Sequence, residues 1–340
     1  MSAQGHIVRH RRWLSVVLLA IALLIPTATA FAGPPSPLTP ASTEATIIRD
    51  LYAIVFWIAV GVFVIVEGVL VYSVIRFRRQ HPEEVPVQLH GSTPVEVAWT
   101  IAPAIIVAVL MLLTLRSMRT LYQIPSGTIN VEVIGHQWWW EFRYPDLGIT
   151  TANELHIPVG EMVRLRIESV DVIHSFWVPE LGGKTDAIPG HTNTTAIQAM
   201  KAGRYHGQCA EFCGAQHAQM RIEVVASPPA EFQQWVENQK VAAAAPSDEA
   251  AQRGQQAFMS SACIGCHTIA GTPAQGKIGP NLTHFASRRT FAGASFETTP
   301  QNLAAWLRDP QALKPGTLMP KVGLSEEQIN DIVAYLLSLK

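Results

Sequence analysis

Within twelve residues the chain places two thiols, an imidazole and a thioether: Cys209-Ala-Glu211-Phe-Cys213-Gly-Ala-Gln-His217-Ala-Gln-Met220. A second histidine, His174, lies upstream in Asp171-Val-Ile-His174-Ser-Phe-Trp-Val-Pro179, which reads as a loop between strands. Thiolate, imidazole and thioether together suit copper and not the hard cations. Two thiolates can bridge two copper ions, with one histidine on each and weak axial ligands from Met220 and a backbone carbonyl. One electron shared over two metals lowers the reorganisation that transfer requires. A Cys209–Cys213 disulfide and a zinc site are the alternatives. An oxidising compartment would permit the disulfide, but neither alternative uses Met220, and zinc does no redox work.

The other two cysteines form Cys263-Ile-Gly-Cys266-His267, the attachment signature of a c-type haem. The thiols bond to the vinyl groups and His267 ligates the iron. Ile278-Gly279-Pro280-Asn281-Leu282 and Lys314-Pro-Gly-Thr-Leu-Met319-Pro320 follow. This order of helix, attachment motif, loop, methionine and helix resembles class I cytochrome c. The resemblance makes Met319 the sixth ligand, a Met/His set that raises the potential. Met259 is the competing thioether, but it lies four residues before Cys263 on the attachment helix. Trp306 reads as haem-wall packing. His136, His156, His191, His206 and His284 are assigned no metal.

These residues need elements to hold them. Of 340 residues, 48% are hydrophobic and 15% charged, against about 25% charged in globular chains. That excludes a disordered or nucleic-acid-binding protein and puts part of the chain in membrane lipid. Residues 1–32 read as a signal peptide: a basic start, an apolar run from Leu14 to Ile25, and small residues up to Ala30 and Ala32. A third span is the alternative, but the run is short for about 30 Å of hydrocarbon. A transmembrane hairpin is expected over 45–119, with helices near 51–75 and 97–116. Arg76-Phe77-Arg78-Arg79 between them belongs in the cytoplasm by the positive-inside rule. Everything beyond Arg119 then lies outside. Glu67 is an acid inside the first span, which calls for a larger membrane partner.

Period-two alternation marks strands at Thr128–Ile134, Trp138–Tyr144, Met162–Val170, Thr194–Ala199 and Met220–Val225, read as an antiparallel sandwich or barrel. Residues 120–240 carry thirteen acidic and eight basic side chains. A helix over Ala230–Lys240 and a linker at 241–248 follow. Helical patterns lie at Glu249–Met259, Gln301–Leu307 and Ser325–Leu339.

Four motifs carry a wider resemblance: Val95-Glu96-Val97-Ala98-Trp99-Thr100-Ile101-Ala102-Pro103, Gly135-His136-Gln137-Trp138-Trp139-Trp140, Leu181-Gly182-Gly183-Lys184-Thr185-Asp186-Ala187-Ile188-Pro189-Gly190, and the Cys209–Met220 loop. The stretch from Leu51 to Val225 resembles subunit II of the haem–copper cytochrome oxidases. With the cytochrome region it resembles the haem-c-fused, caa-type enzymes of bacteria. The resemblance implies a multi-domain membrane protein: a two-helix hairpin, an all-β cupredoxin-like Greek-key sandwich over 120–240, and an all-α class I cytochrome c domain over 249–340.

It further implies a binuclear CuA centre of two copper ions on His174, Cys209, the carbonyl of Glu211, Cys213, His217 and Met220. A magnesium ion shared with subunit I would sit at the Glu211 carboxylate. Haem c would be held by Cys263, Cys266, His267 and Met319. The electron-entry tryptophan falls on Trp138, although in a strand Trp138 and Trp140 would share one face and either could be core. Glu96 would lie near the mouth of a proton path, with a helix-start carboxylate as the plainer reading. Trp139 departs from the family, where tyrosine is common. Relatives that oxidise quinol lack the copper ligands that are present here.

The expected function is electron transfer from cytochrome c, through haem c and CuA, to haem a of subunit I. There oxygen is reduced and protons are pumped; this chain holds no oxygen site. Expected partners are subunits I and III and a soluble or membrane cytochrome donor. The expected location is the outer side of a bacterial cytoplasmic membrane. A nitric or nitrous oxide reductase component and a membrane-anchored electron carrier are the other classes.

Overall fold

The computed structural model describes residues 35–79, 81, 83, 85, 88, 90–123, 129–243 and 245–340. The expected signal peptide lies outside them. Two long helices come first, α1 (Thr43–Arg76) and α2 (Thr93–Leu121). At 1.5 Å per residue both exceed the roughly 30 Å of a bilayer core. Each extends beyond its apolar run because polar residues start it. Ser42 caps α1 by accepting from the Ala45 N–H at 2.9 Å. The same hydroxyl donates to Leu181 O at 2.8 Å. The Ala41 N–H reaches Glu180 O, also at 2.8 Å. These bonds tie the hairpin to the outer domain through the Leu181–Gly190 motif.

The outer domain holds ten strands: β1 (Ile129–His136), β2 (Trp139–Tyr144), β3 (Ile149–Ala152), β4 (Glu154–Pro158), β5 (Val163–Ser169), β6 (His174–Trp177), β7 (Thr185–Ala187), β8 (Asn193–Ile197), β9 (Gly203–Cys209) and β10 (Arg221–Ser227). They form two five-stranded sheets, ordered β3-β2-β1-β5-β8 and β4-β10-β9-β6-β7. The sandwich is not wholly antiparallel: β1 pairs with β5, and β10 with β4, in parallel. The chain crosses between sheets before returning, so each return strand runs the same way as its neighbour. Val163, Leu165 and Ile167 face inward with Val131, Val133, Phe142 and Leu155. A fully buried aliphatic side chain of this kind contributes about 1.5–3 kcal/mol.

Five strands escaped the periodicity reading for physical reasons. In β9 the inward positions are Tyr205, Gly207 and Cys209, and a glycine removes the apolar signal. In β4 four of five residues are buried, so no alternation shows. His174 was expected in a loop but opens β6, paired with Ala187. Trp138 was expected on a strand but lies in the turn before β2, so it does not share a strand face with Trp140.

Helix α3 (Pro229–Lys240) closes the sandwich and stacks Trp235 on His156, ring centroids 4.3 Å apart. The C-terminal domain is α4 (Glu249–Met259), α5 (Cys263–Cys266), α6 (Pro300–Arg308), α7 (Pro310–Leu313) and α8 (Glu326–Ser338). A two-residue ribbon, β11 (Thr290–Phe291) with β12 (Phe296–Glu297), is added to the expected helices. Ala251, Gly254 and Phe258 form the buried stripe of α4. Asp248 caps α4, and Ser325 with Gln328 makes a capping box on α8.

Leu165→Ala would leave a cavity at the centre of the sandwich and should remove about 2–5 kcal/mol of stability. Urea denaturation followed by tryptophan fluorescence measures it. Val241→Ala, at an exposed position, should stay within about 0.5 kcal/mol of the parent.

Candidate copper and haem sites

The copper-type residues converge at one end of the sandwich. Strand β9 ends at Cys209 and β10 begins after Met220, so the loop from Cys209 to Met220 is the connection of one hairpin. The Cys209 N–H closes it on Met220 O at 2.9 Å. Strand β6, beside β9, carries His174 to the same place, since Phe176 is the register partner of Cys209. The two sulfurs, Cys209 Sγ and Cys213 Sγ, are 3.8 Å apart. His174 Nδ1 is 4.0 Å from Cys209 Sγ, and His217 Nδ1 is 3.6 Å from Cys213 Sγ. Met220 Sδ is 3.9 Å from Cys213 Sγ, and Glu211 O is 3.2 Å from Cys209 Sγ. His174, Cys209, Cys213 and Met220 are buried, while the Glu211 side chain is exposed.

The electrostatics prepare one donor, Cys209, and leave protons to be displaced from the others. Hydrogen bonding with Cys213 brings the Cys209 thiol down to about 3, and the same contact with burial pushes Cys213 up. One thiol of the pair is thus the easier to ionise and the other the harder. Burial opposes the charged form of His174, but bonds to Asp171 and Cys209 outweigh it and raise the ring. His174 Nε2–H donates to Asp171 Oδ1 at 2.7 Å. That leaves the Nδ1 lone pair aimed at the sulfurs, as an orienting carboxylate does for a ligand histidine.

A cavity of about 520 Å³ lies beside this cluster. The C-terminal domain lines it with Cys263, Cys266, His267 and Met319, and the sandwich with His136, Trp138 and Arg143. Met259 is not among its lining residues. His267 Nδ1–H donates to Pro280 O at 2.8 Å, which leaves Nε2 as the lone-pair nitrogen. Burial holds His267 below the usual imidazole value, so it is neutral. Trp306 Nε1–H donates to Met319 Sδ at 3.0 Å. Trp306 is thus a partner of the thioether as well as cavity wall.

Trp138 belongs to both places. Its Nε1–H donates to Cys213 O at 3.0 Å while the residue borders the cavity. Trp139 stacks on His136 at 4.1 Å, and Trp140 is fully buried against His174 and Phe176.

Three family models match the chain. They are the transmembrane domain of cytochrome c oxidase subunit II over residues 38–119, its periplasmic domain over 147–227, and cytochrome c over 251–340. A curated cytochrome c oxidase subunit 2 of Alkalihalophilus pseudofirmus is 37% identical, the match covering 89% of this chain and 90% of the relative. The subunit of Bacillus sp. strain PS3 is 38% identical over 78% and 80%. That of Bacillus subtilis strain 168 is 33% identical over 97% and 98%. The chain belongs to the cytochrome c oxidase subunit 2 family.

It is a subunit 2 with a fused cytochrome c domain, a part of a haem–copper oxidase that works with subunit I in electron transfer. This sets aside the reductase and free-carrier classes. It is a membrane protein with an outer domain, and it uses copper and haem c. The residues fit both groups: soft donors are gathered within contact distance, and a thiol pair with a neutral imidazole and a thioether lines one cavity.

Two residues that matter here were given no role of their own by the sequence reading. Asp171 orients His174 and also accepts from the Gln137 N–H at 2.6 Å; its place three residues before a candidate histidine was the available signal. Gly135 gives His174 its room. A Cβ at Gly135 would stand 2.7 Å from His174 Cδ2. Gly135→Ala should therefore destabilise the outer domain by about 1–3 kcal/mol and lower the copper-to-protein ratio. Thermal unfolding with metal analysis checks both.

Proposed function

We propose that this chain passes electrons from a cytochrome donor through haem c and a two-copper CuA centre to haem a of subunit I, driving reduction of oxygen and proton pumping. Both groups supply reversible one-electron chemistry when bound. Cys263, Cys266, His267 and Met319 would hold haem c. His174, Cys209, the Glu211 carbonyl, Cys213, His217 and Met220 would hold the two coppers. The sandwich keeps their donors in place through the β9–β10 hairpin, and Asp171 fixes the His174 tautomer.

The observation that carries the reading is Trp138. Its indole donates to Cys213 O at 3.0 Å and borders the cavity of Cys263, Cys266 and His267. One side chain spans the gap between the two donor sets, and we assign it the port between them. The exposed Glu211 carboxylate is offered for a magnesium ion shared with subunit I. Glu96, exposed in the first turn of α2, accepts from the Ser92 N–H at 3.2 Å. We place it at the mouth of a proton path. The domains beyond α2 would lie on the outer side of a bacterial cytoplasmic membrane, with subunit III as a further partner.

Trp138→Phe keeps an aromatic ring but removes the indole N–H that donates to Cys213 O. Flash photoreduction of haem c in the intact oxidase should show slower reduction of CuA with both spectra intact. An unchanged rate would return Trp138 to core packing. In a second experiment, EPR of the oxidised parent should show one electron shared equally by two coppers. Cys213→Ser should abolish that pattern, because a hydroxyl cannot replace a bridging thiolate; a single-copper spectrum in the fully loaded parent would sink the two-copper centre.

A further inference from the structure

The two outer domains meet on a face organised around one lysine. Lys314 belongs to the cytochrome domain, yet only 3% of it is exposed. Its ammonium donates to Ala292 O at 2.9 Å within its own domain. It also donates across the interface, to Trp138 O at 3.2 Å and to Gln219 O at 2.9 Å. An ammonium has three protons, and all three are used. Burial pushes the group down only to about 8, so it keeps its charge at neutral pH.

Both acceptors across the interface adjoin the copper-type residues. Trp138 donates to Cys213 O, and Gln219 precedes Met220. Around the lysine the domains are stitched by further bonds. The Arg221 N–H donates to Gly293 O at 2.9 Å and Ser295 Oγ to Gln219 O at 2.9 Å. The Thr290 N–H donates to Glu154 Oε1 at 3.0 Å, and Gln216 Nε2 to Pro315 O at 2.5 Å. Gly293 lets the backbones close, since a Cβ there would lie 2.8 Å from Trp138 O and 2.9 Å from Lys314 Nζ.

A buried ammonium among carbonyl dipoles is poor glue, because its desolvation offsets most of the attraction. It is a good register device, because a displaced seating would strand the charge without its acceptors. With the domain seated, Trp138 is 9% exposed, so a second protein has little access to it. An eight-residue linker alone, if flexible, would leave the haem domain free to wander; this face argues for one seat.

We propose that Lys314 is a positioning residue, a docking pin that seats the cytochrome domain in one register on the copper domain. The seat at Trp138 is thereby reserved for the chain's own haem domain and closed to a soluble cytochrome, which must deliver its electron to haem c. This rests on the route proposed above from haem c to CuA.

The test uses the intact oxidase with Lys314→Met, Lys314→Arg and Gly293→Ala. The last keeps the lysine but wedges the face apart. Met and Ala should each slow haem-c-to-CuA transfer about tenfold by lowering the seated fraction, with the CuA EPR and haem c spectra unaltered. Lys314→Arg, which keeps charge and donors, should stay nearer the parent. With a reduced soluble cytochrome c as donor, CuA should gain electrons ahead of haem c in the Met and Ala variants and never in the parent. Hydrogen exchange gives a readout apart from activity: the Arg221 and Thr290 amides, which donate across the face, should exchange faster in Lys314→Met. Parent rates and exchange in the Met and Ala variants would overturn the pin. So would equal losses with Arg and Met, or loss of either spectrum in both Met and Ala, which would assign the face to folding. No haem-c-to-CuA transfer in the parent would instead defeat the route itself.

Discussion

Two cysteine sulfurs 3.8 Å apart in a buried loop set the terms for the whole outer region. Buried thiols this close cannot both ionise without a cation between them, so one thiolate forms easily and the other resists. Holding such a pair needs a framework that does not yield. The β9–β10 hairpin supplies it, closed by the Cys209–Met220 backbone bond, and β6 brings His174 from the neighbouring register. Packing behind the site is aromatic: Trp140 lies edge-on to both His174 and Phe176.

The same loop faces the cavity lined by Cys263, Cys266 and His267 through its back. The Cys213 carbonyl accepts from both Trp138 Nε1 and Gln137 Nε2. The turn carrying Trp138 is therefore held by the Cys209–Met220 loop as well as by the His136–Trp139 pairing of the strands on either side of it. The cytochrome domain meets that turn with Lys314 and Gly293. The distance between the two donor sets is thus governed by a few backbone carbonyls, which move less than side chains would. Chemistry that transfers only electrons has no substrate to position, so the protein's contribution is to keep the donor sets close and still.

The membrane hairpin is joined to this assembly at one end. Ser42 serves both as the cap of α1 and as a donor to Leu181, so the helix start and the outer domain share a residue. Both helices leave apolar side chains exposed along their length, among them Val64, Ile65, Trp99 and Leu112. Such surfaces belong against lipid and a larger membrane subunit, and Glu67 within α1 is more readily placed facing the latter.

Local chemistry was written in the chain. The cluster of Cys209, Cys213, His217 and Met220 and the Cys263–His267 motif are legible because groups brought together by one loop need only a few residues. The membrane helices showed because lipid imposes a long unbroken apolar run, and α4 and α8 because amphipathic stripes repeat locally. Strands β4 and β9 did not show, because burial on both faces or an inward glycine erases alternation. The tertiary structure alone decided the parallel pairings, the place of His174 on a strand and of Trp138 in a turn, and the burial of Lys314. Each rests on partners apart in the chain, from His174 with Ala187, 13 residues on, to Lys314 with Trp138, 176 residues back, and such contacts leave no periodic trace in the sequence. A lysine before Pro-Gly-Thr-Leu-Met reads as solvated until a second domain is laid over it.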